Sequence, residues 1–181
     1  MTSFRLRLIL LFALPLGSCW GGQTFYTASE ARPALPPGVY RAVPLDQSEK
    51  PETVRVSILG NGMTSIAGKG DANVVGFVPL DPSYFVMWQP DAEGGPGAIY
   101  ALLHAERGHY RLIIPFCERT LAIATAAGAE LTKDPKIKVC SFKTRAQLED
   151  GLRHLEGLKR DAVDFLPTAD NRPAPRPRHG S

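Results

Sequence analysis

Several features that would point directly to a function are missing from this sequence of 181 residues. Its longest apolar run, residues 8–16, is about half of the roughly 20 residues that a membrane-spanning helix requires. No internal repeat is seen, and apart from His104 and His109 no short pair of cysteines or histidines has the spacing that zinc ligands show. From composition and spacing we therefore predict no catalytic residue, no cofactor-binding residue and no metal ligand.

One glycine-rich stretch, residues 62–69, has the general look of a phosphate-binding loop. Five residues separate Gly62 from Gly68, where the phosphate loop needs four, and Gly70 stands where Ser or Thr would hold magnesium. We therefore reject nucleotide binding at this stretch.

The N-terminus carries the most informative pattern in the chain. Arg5 and Arg7 precede the apolar run at residues 8–16, and small residues follow at 17–18. A positive segment, a short apolar segment and small residues at a cut site are the signature of a secretory signal peptide. We therefore predict that residues 1–18 are a signal peptide.

The string Leu16-Gly17-Ser18-Cys19 resembles the lipobox of bacterial lipoproteins. The resemblance covers about a tenth of the chain and implies that the Cys19 thiol is diacylated and becomes the new N-terminus. Several acyl chains on one residue would anchor the protein stably to a membrane. Because Trp20 rather than aspartate follows the cysteine, the resemblance also implies the periplasmic face of the outer membrane. Ordinary secretion with cleavage before Trp20 is the alternative.

If Cys19 carries lipid, the other two cysteines form an even pair in an oxidising compartment. A disulfide between Cys117 and Cys140 would close a loop of about 24 residues and contribute roughly 3 kcal/mol in the loop-entropy model. Two buried free thiols, or a reactive Cys117 beside a histidine, are the alternatives.

Charge and length limit the partners that we expect. The formal charge falls from +3 to +1 when residues 1–18 are removed, because Arg5 and Arg7 leave with them. A nearly neutral chain argues against a nucleic-acid partner, because proteins that bind nucleic acid usually carry a basic patch or stripe. The remaining residues suffice for one domain, predicted at 38–166.

We expect a segment of low order on either side of this domain. Residues 19–37 contain a glycine pair and three prolines, which suits a lipidated tether. Residues 167–181 are rich in proline and arginine, which predicts a disordered tail, either simply solvated or in contact with anionic cell-wall or membrane polymer.

The predicted domain begins with strands. Residues 53–58 alternate apolar and polar side chains, and Gly60-Asn61-Gly62 follows as a hairpin signal. A three-residue loop pairs Val56 with Ile66 and keeps the apolar side chains on one face, so we favour it over a two-residue loop. A second hairpin around residues 106–108 would place Ala105 opposite His109.

Helices are expected only in the C-terminal half. Residues 118–131 predict a short helix, and Thr144 with Gln147 forms a capping box for a helix over 145–160. This second helix has a leucine stripe on one side. The predicted fold class is α+β, with a curved antiparallel sheet or partial barrel of six to eight strands and one or two helices packed on it.

Two side-chain groups remain as candidates for chemistry. His104 and His109 fall on opposite faces of the second predicted hairpin, so we do not expect them to share a metal. Five aromatic residues would line a cavity if the sheet curls around one, or would pack in an ordinary core: Tyr84, Phe85, Trp88, Tyr100 and Tyr110.

These observations favour a non-enzymatic role for a lipoprotein held in the bacterial cell envelope. Its partners would be the membrane, through the N-terminal lipid, and an envelope protein or the cell wall. A carrier of a small apolar ligand is the second hypothesis, and a cysteine- or carboxylate-dependent hydrolase is the third.

Overall fold

A computed structural model describes residues 19–45, 50–91, 95–106, 108–132 and 138–169. Within these ranges the chain forms eleven strands, in the order β1 (Trp20–Gln23), β2 (Gly38–Pro44), β3 (Glu52–Ile58), β4 (Thr64–Ala67), β5 (Ala72–Pro79), β6 (Tyr84–Pro90), β7 (Gly97–Glu106), β8 (His109–Ile113), β9 (Glu130–Leu131), β10 (Cys140–Phe142) and β11 (Ala162–Pro167). The helices are a 3₁₀ turn (Ala28–Glu30), α1 (Leu121–Ala126) and α2 (Arg145–Arg153).

Eight of the described strands close into an antiparallel barrel. Their order around the wall is β6-β5-β4-β3-β2-β11-β8-β7, and β6 pairs with β7 to complete the circle. Strands β1, β10 and β9 extend from β7 as a short side sheet. The protein is therefore mostly β. The predicted curved antiparallel sheet or partial barrel with helices is confirmed in outline, but the barrel is closed, three further strands extend it, and the protein has less helix than an α+β fold implies.

The inside of the barrel is filled by large side chains. Alternate residues of each barrel strand point inward, as the two-residue period of a strand requires. Among the inward residues Tyr40, Phe77, Leu103, Leu112 and Phe165 are fully buried and belong to one contact cluster. This cluster is the first core of the protein.

A second core lies outside the barrel wall. The outward side chains of Val86, Trp88, Tyr100 and Leu102 contact β1, β10 and both helices. Leu148 of α2 is fully buried among them. The wall at β6 and β7 is therefore covered on both sides, as its continuous apolar pattern predicts.

The capping box of α2 forms as predicted. The Thr144 hydroxyl accepts from the backbone N–H of Gln147, and the Gln147 side chain accepts from the backbone N–H of Thr144. Both helices are shorter than expected, since α1 covers six residues of the predicted 118–131 and α2 ends at Arg153. Gly157, with a φ of 80°, lies in the turn that leads the chain back to β11.

The first hairpin has the predicted register and the second does not. Val56 pairs with Ile66, and Leu59 bonds to Met63 across the three-residue loop. In the second hairpin Glu106, not Ala105, pairs with His109. Only two residues then connect the strands, and Gly108 adopts a φ of 88°, which such a tight turn requires. Because both faces of β7 are apolar, the hydrophobic pattern does not set this register.

The segment predicted to be a tether is part of the folded domain, so this prediction is wrong. Trp20 is 0% exposed, and β1 pairs with both β7 and β10. Tyr26 and Leu35 are also buried. The prolines and glycines of 19–37 shape a chain that packs against the barrel, so the domain begins at about residue 19 rather than 38.

At the other end, β11 extends to Pro167, and the Thr168 hydroxyl donates to the backbone oxygen of Val39. Residues 167 and 168, predicted to belong to the disordered tail, are therefore part of the domain. Positions 170–181 lie outside the described ranges, as do residues 1–18.

Replacing Trp20 tests whether residues 19–37 belong to the domain. Trp20→Ala should lower the free energy of unfolding by about 4 kcal/mol, because it removes a fully buried indole from the second core. Trp20→Phe, the matched control, retains an aromatic ring and should lose less, mainly the 2.9 Å hydrogen bond from Nε1 to Thr120. Urea unfolding measures both. Equal stability of Trp20→Ala and the wild type would mean that the segment is a tether after all.

The predicted disulfide between Cys117 and Cys140 is present and spans 23 positions of the chain. Replacing both cysteines by serine should lower the free energy of unfolding by roughly 3 kcal/mol, because the unfolded chain gains the freedom that the bridge removes. Urea unfolding of the wild type with reductant should give the same loss. Intact mass should rise by two hydrogen atoms on reduction, and an unchanged mass would contradict the bridge.

Candidate functional site

The predicted lipidation residue, Cys19, lies where the chain enters the sheet. Its backbone forms a bridge with Phe116, and the next residue, Trp20, donates its N–H to the backbone oxygen of Pro115 at 3.2 Å. The Cys19 side chain is 2% exposed. The residue that would carry lipid is therefore in direct contact with the domain, with no spacer after it.

The chemistry of the three cysteines follows from these positions. Cys117 and Cys140 are bonded to each other, so neither has a thiol to act as a nucleophile. Cys19 is free, but burial raises the pKa of its thiol to about 11. A thiolate is thus disfavoured at Cys19 in the folded chain, and lipid attachment would require the side chain to turn outward.

A cluster of charged side chains lies on the outer wall of the barrel, where β7, β8 and β11 are neighbours. Arg111 of β8 and Asp164 of β11 are directly paired across the two strands. Arg111 donates from Nε and Nη2 to the two carboxylate oxygens of Asp164, at 2.7 and 3.1 Å. His109 places Nε2 3.2 Å from Oδ2 of the same carboxylate. We call these three side chains, together with His104, the wall cluster.

His104 joins the cluster because of the register of the second hairpin. It pairs with Arg111 across β7 and β8, so His104 and His109 point to the same outer face, and the expectation of opposite faces is wrong. The His104 ring stacks on Tyr84 of β6 at a centroid distance of 4.6 Å. Its Nε2 lies 3.9 Å from Oε2 of Glu106.

The electrostatics of the wall cluster centre on Asp164. Burial raises the pKa of this carboxyl, but hydrogen bonds from Arg111 and His109 outweigh that effect and leave its pKa below the ordinary value. The bond to Asp164 in turn raises the pKa of Arg111. Asp164 is thus held as an anion, and its oxygens are occupied by two donors. This arrangement suits rigid display of charge rather than proton transfer.

The five aromatic residues considered for a cavity are divided between the two cores. Phe85 and Tyr110 face the inside of the barrel, whereas Tyr84, Trp88 and Tyr100 face outward. They therefore do not line one common cavity. Two buried polar atoms lack a hydrogen-bond partner in the described structure, the Thr64 hydroxyl inside the barrel and Trp88 Nε1 outside its wall.

No family model matches this chain, and neither does any curated protein or solved structure. A function for this chain is therefore inferred from its residues and their geometry.

The described ranges contain no group of three His, Cys, Asp or Glu side chains arranged to hold a metal ion. None of their helices is both long enough and apolar enough to cross a bilayer.

Sequence reasoning did not find the wall cluster, because it combines residues from two distant parts of the chain. Arg111 and Asp164 are 53 positions apart. The signal that was available is an aspartate between two apolar residues, Val163 and Phe165, in a short strand-like stretch. Such a residue faces away from the core and needs a partner when it is covered.

Asp164→Asn tests how the wall cluster is held together. The change should lower the free energy of unfolding by about 2 kcal/mol at pH 7, because Arg111 loses its charged acceptor. Since the pKa of Asp164 is lowered on folding, its contribution is present above the ordinary value of 3.8 and disappears as the pH falls below it. The variant should therefore lose less stability than the wild type between pH 7 and pH 3.

Urea unfolding at several pH values measures this difference. The control is Asp150→Asn, at an exposed position of α2. If Asp164→Asn and Asp150→Asn gave the same acid dependence, the wall cluster would make no net contribution to folding.

Proposed function

We propose that this protein is a lipoprotein of the bacterial cell envelope, with a non-enzymatic binding role. In this proposal residues 1–18 direct export, Cys19 carries the lipid, and the barrel presents its outer wall to a protein or to the cell wall. The observation that carries the proposal is the lipobox-like string ending at Cys19, directly before the first strand of the domain.

The position of Cys19 relative to the fold supports processing at this residue. Trp20 is the first residue of β1 and is fully buried, so cleavage before Cys19 leaves every strand of the described fold intact. The disulfide agrees with export, because such bridges persist in oxidising compartments and are rare in the cytosol.

The periplasmic face of the outer membrane is the location that we propose, since Trp20 rather than aspartate follows the cysteine. The structure provides an independent reason for this tryptophan, because the second core needs a large apolar side chain there. Its presence thus supports the location less strongly than the sequence pattern alone implies.

The binding role rests on the wall cluster and on Glu106 beside His104. His109, which is 41% exposed, and Glu106 place hydrogen-bonding groups of both kinds at the surface. Arg111 and Asp164 beneath them restrain each other by two hydrogen bonds. A rigid surface loses little conformational entropy when a partner binds, so a protein or polymer with both donors and acceptors is the partner class that we propose.

Transport of a small apolar ligand inside the barrel is the second candidate. An eight-stranded barrel either fills its interior with side chains or holds one small ligand, and the closed barrel is the observation in favour of a ligand. The unpartnered Thr64 hydroxyl would bond only to a polar atom of such a ligand. Against it, large residues such as Phe77 and Phe165 are buried in contact with the rest of the first core. A carrier would need these side chains to move apart, which ranks it below wall binding. If native mass spectrometry consistently finds the protein without a ligand, the carrier hypothesis is excluded.

The anchor is tested by Cys19→Ala in the producing bacterium. The wild type should sediment with membranes, and its intact mass should exceed that of residues 19–181 by the mass of the acyl groups. Cys19→Ala should lose the added mass and leave the membrane fraction, because it has no thiol to acylate.

The control is the double replacement of Cys117 and Cys140 by serine, which removes the disulfide and should keep the lipid. Urea unfolding of Cys19→Ala separates loss of the anchor from loss of the fold, since Cys19 is buried. A wild-type protein that begins at Trp20 or carries no acyl mass would refute the anchor.

A further inference from the structure

We propose that one end of the barrel lies directly against the phospholipid headgroups, and that this end is the one that carries Cys19, Phe116, Arg119 and Leu121. This inference rests on the proposed lipid at Cys19 and adds an orientation and a contact surface to it. We call this part of the molecule the anchor end.

The anchor end follows from the strand directions. Strand β8 ends and β11 begins there, since Ile113 pairs with Ala162, and the Ile114 N–H then donates to the backbone oxygen of Asp161. The chain continues from β8 to Phe116, which forms the bridge to Cys19. The opposite end contains the turns at 59–63, 80–83 and 108.

The short distance between lipid and domain is what forces the orientation. A flexible tether of some 18 residues would span roughly 20–25 Å on average and let the barrel turn freely. Here Trp20 is fully buried, and its Nε1 donates to the Thr120 hydroxyl at 2.9 Å. Cys19 itself is buried, so a lipid on it requires this side chain to turn outward. Because no spacer separates Cys19 from β1, the surface around Cys19 would then meet the membrane.

The side chains of this surface suit a headgroup layer. The Arg119 guanidinium lies 5.3 Å from the centre of the half-buried Phe116 ring, which combines apolar area with a charged tip. Leu121 follows Thr120 and is 38% exposed, among the most exposed large apolar residues described. Such mixed surfaces are typical of the interface between lipid and water.

The charges around Arg119 favour anionic headgroups. Arg119 is paired with Asp161, and Lys138 is paired with Glu118 at 3.1 Å, so these four charges balance. Arg160, whose Nη2 donates to the backbone oxygen of Arg119, and its exposed neighbour Lys159 add two positive charges. This excess is local to Arg119, because the loops at the same end of the barrel carry Lys50 and Lys69 against Glu52, Asp71 and Asp91. A basic patch next to the anchor is attracted to the negative surface of anionic lipid.

This orientation also directs the wall cluster away from the membrane. His109 is the first residue of β8, whereas Phe116 follows the last, so the exposed histidine lies toward the opposite end of the barrel. The proposed binding surface therefore stays accessible when the anchor end rests on lipid.

Two exposed leucines provide a matched test. Leu121 at the anchor end is 38% exposed, and Leu166 near the other end of β11 is 40% exposed. Leu166 lies five residues beyond Asp161, or about 16 Å along the strand. The variants L121W and L166W each add one surface indole to the same two buried tryptophans, so their emission can be compared directly.

Each variant is produced and processed in its own bacterium and purified with its lipid. The lipidated protein is then reconstituted into phosphatidylglycerol vesicles that contain bromine-labelled acyl chains. L121W emission should be quenched several-fold more than L166W emission. Intact mass confirms the acyl groups in each sample, and an unchanged urea midpoint shows that both variants fold.

The outcomes separate the two proposals. If intact mass shows no acyl group, the proposed anchor fails and the orientation fails with it. If the lipid is present but L166W is quenched as strongly as L121W, the anchor stands and the orientation is wrong. Adding K159E and R160E to L121W should reduce its quenching in these vesicles but not in phosphatidylcholine vesicles, and unchanged quenching in both would overturn the role of the basic charges.

Discussion

Strand β7 has two apolar faces, and the fold is the arrangement that buries both. Leu103 and its alternate neighbours point into the barrel, whereas Tyr100 and Leu102 point outward into the second core. A barrel alone would leave the outer face in water, at a cost that grows with the apolar area exposed. The side sheet, the two helices and the N-terminal segment are the cover that this face requires.

The layer that covers the outer face of β7 includes the first residues of the domain, which therefore contribute to the core as the barrel strands do. Trp20 fills the space between β10 and α2, where Gly151 has room only because it lacks a side chain: a Cβ there would lie 2.9 Å from the Trp20 ring. The disulfide joins Cys140 of β10 to Cys117, in the turn before α1, in the same layer. An anchor attached at residue 19 is thus rigidly connected to the layer that supports β7.

The same connection relates the proposed anchor to the proposed binding surface. Along β8 the chain passes from His109 in the wall cluster to Phe116 at the bridge with Cys19. The strands of a closed barrel are each paired on both sides, which leaves little freedom for one end to move relative to the other. The position of the lipid therefore determines which part of the wall faces the periplasmic space in this proposal.

The sequence by itself determined the features that depend on neighbouring residues or on one apolar face. These are the register at Gly60-Asn61-Gly62, the capping box at Thr144 and the pairing of the two cysteines left after Cys19. Tertiary structure decided the rest. Strand β11 closes the barrel between β2 and β8, yet its six residues carry no strong pattern and gain their pairing only from distant strands. β1 contains two glycines and resembles a linker in sequence, and it becomes a strand of the domain because Trp20 is buried in the second core. The wall cluster and the contact of Cys19 with the domain follow from these two strands, because no local pattern specifies which distant strands will become neighbours.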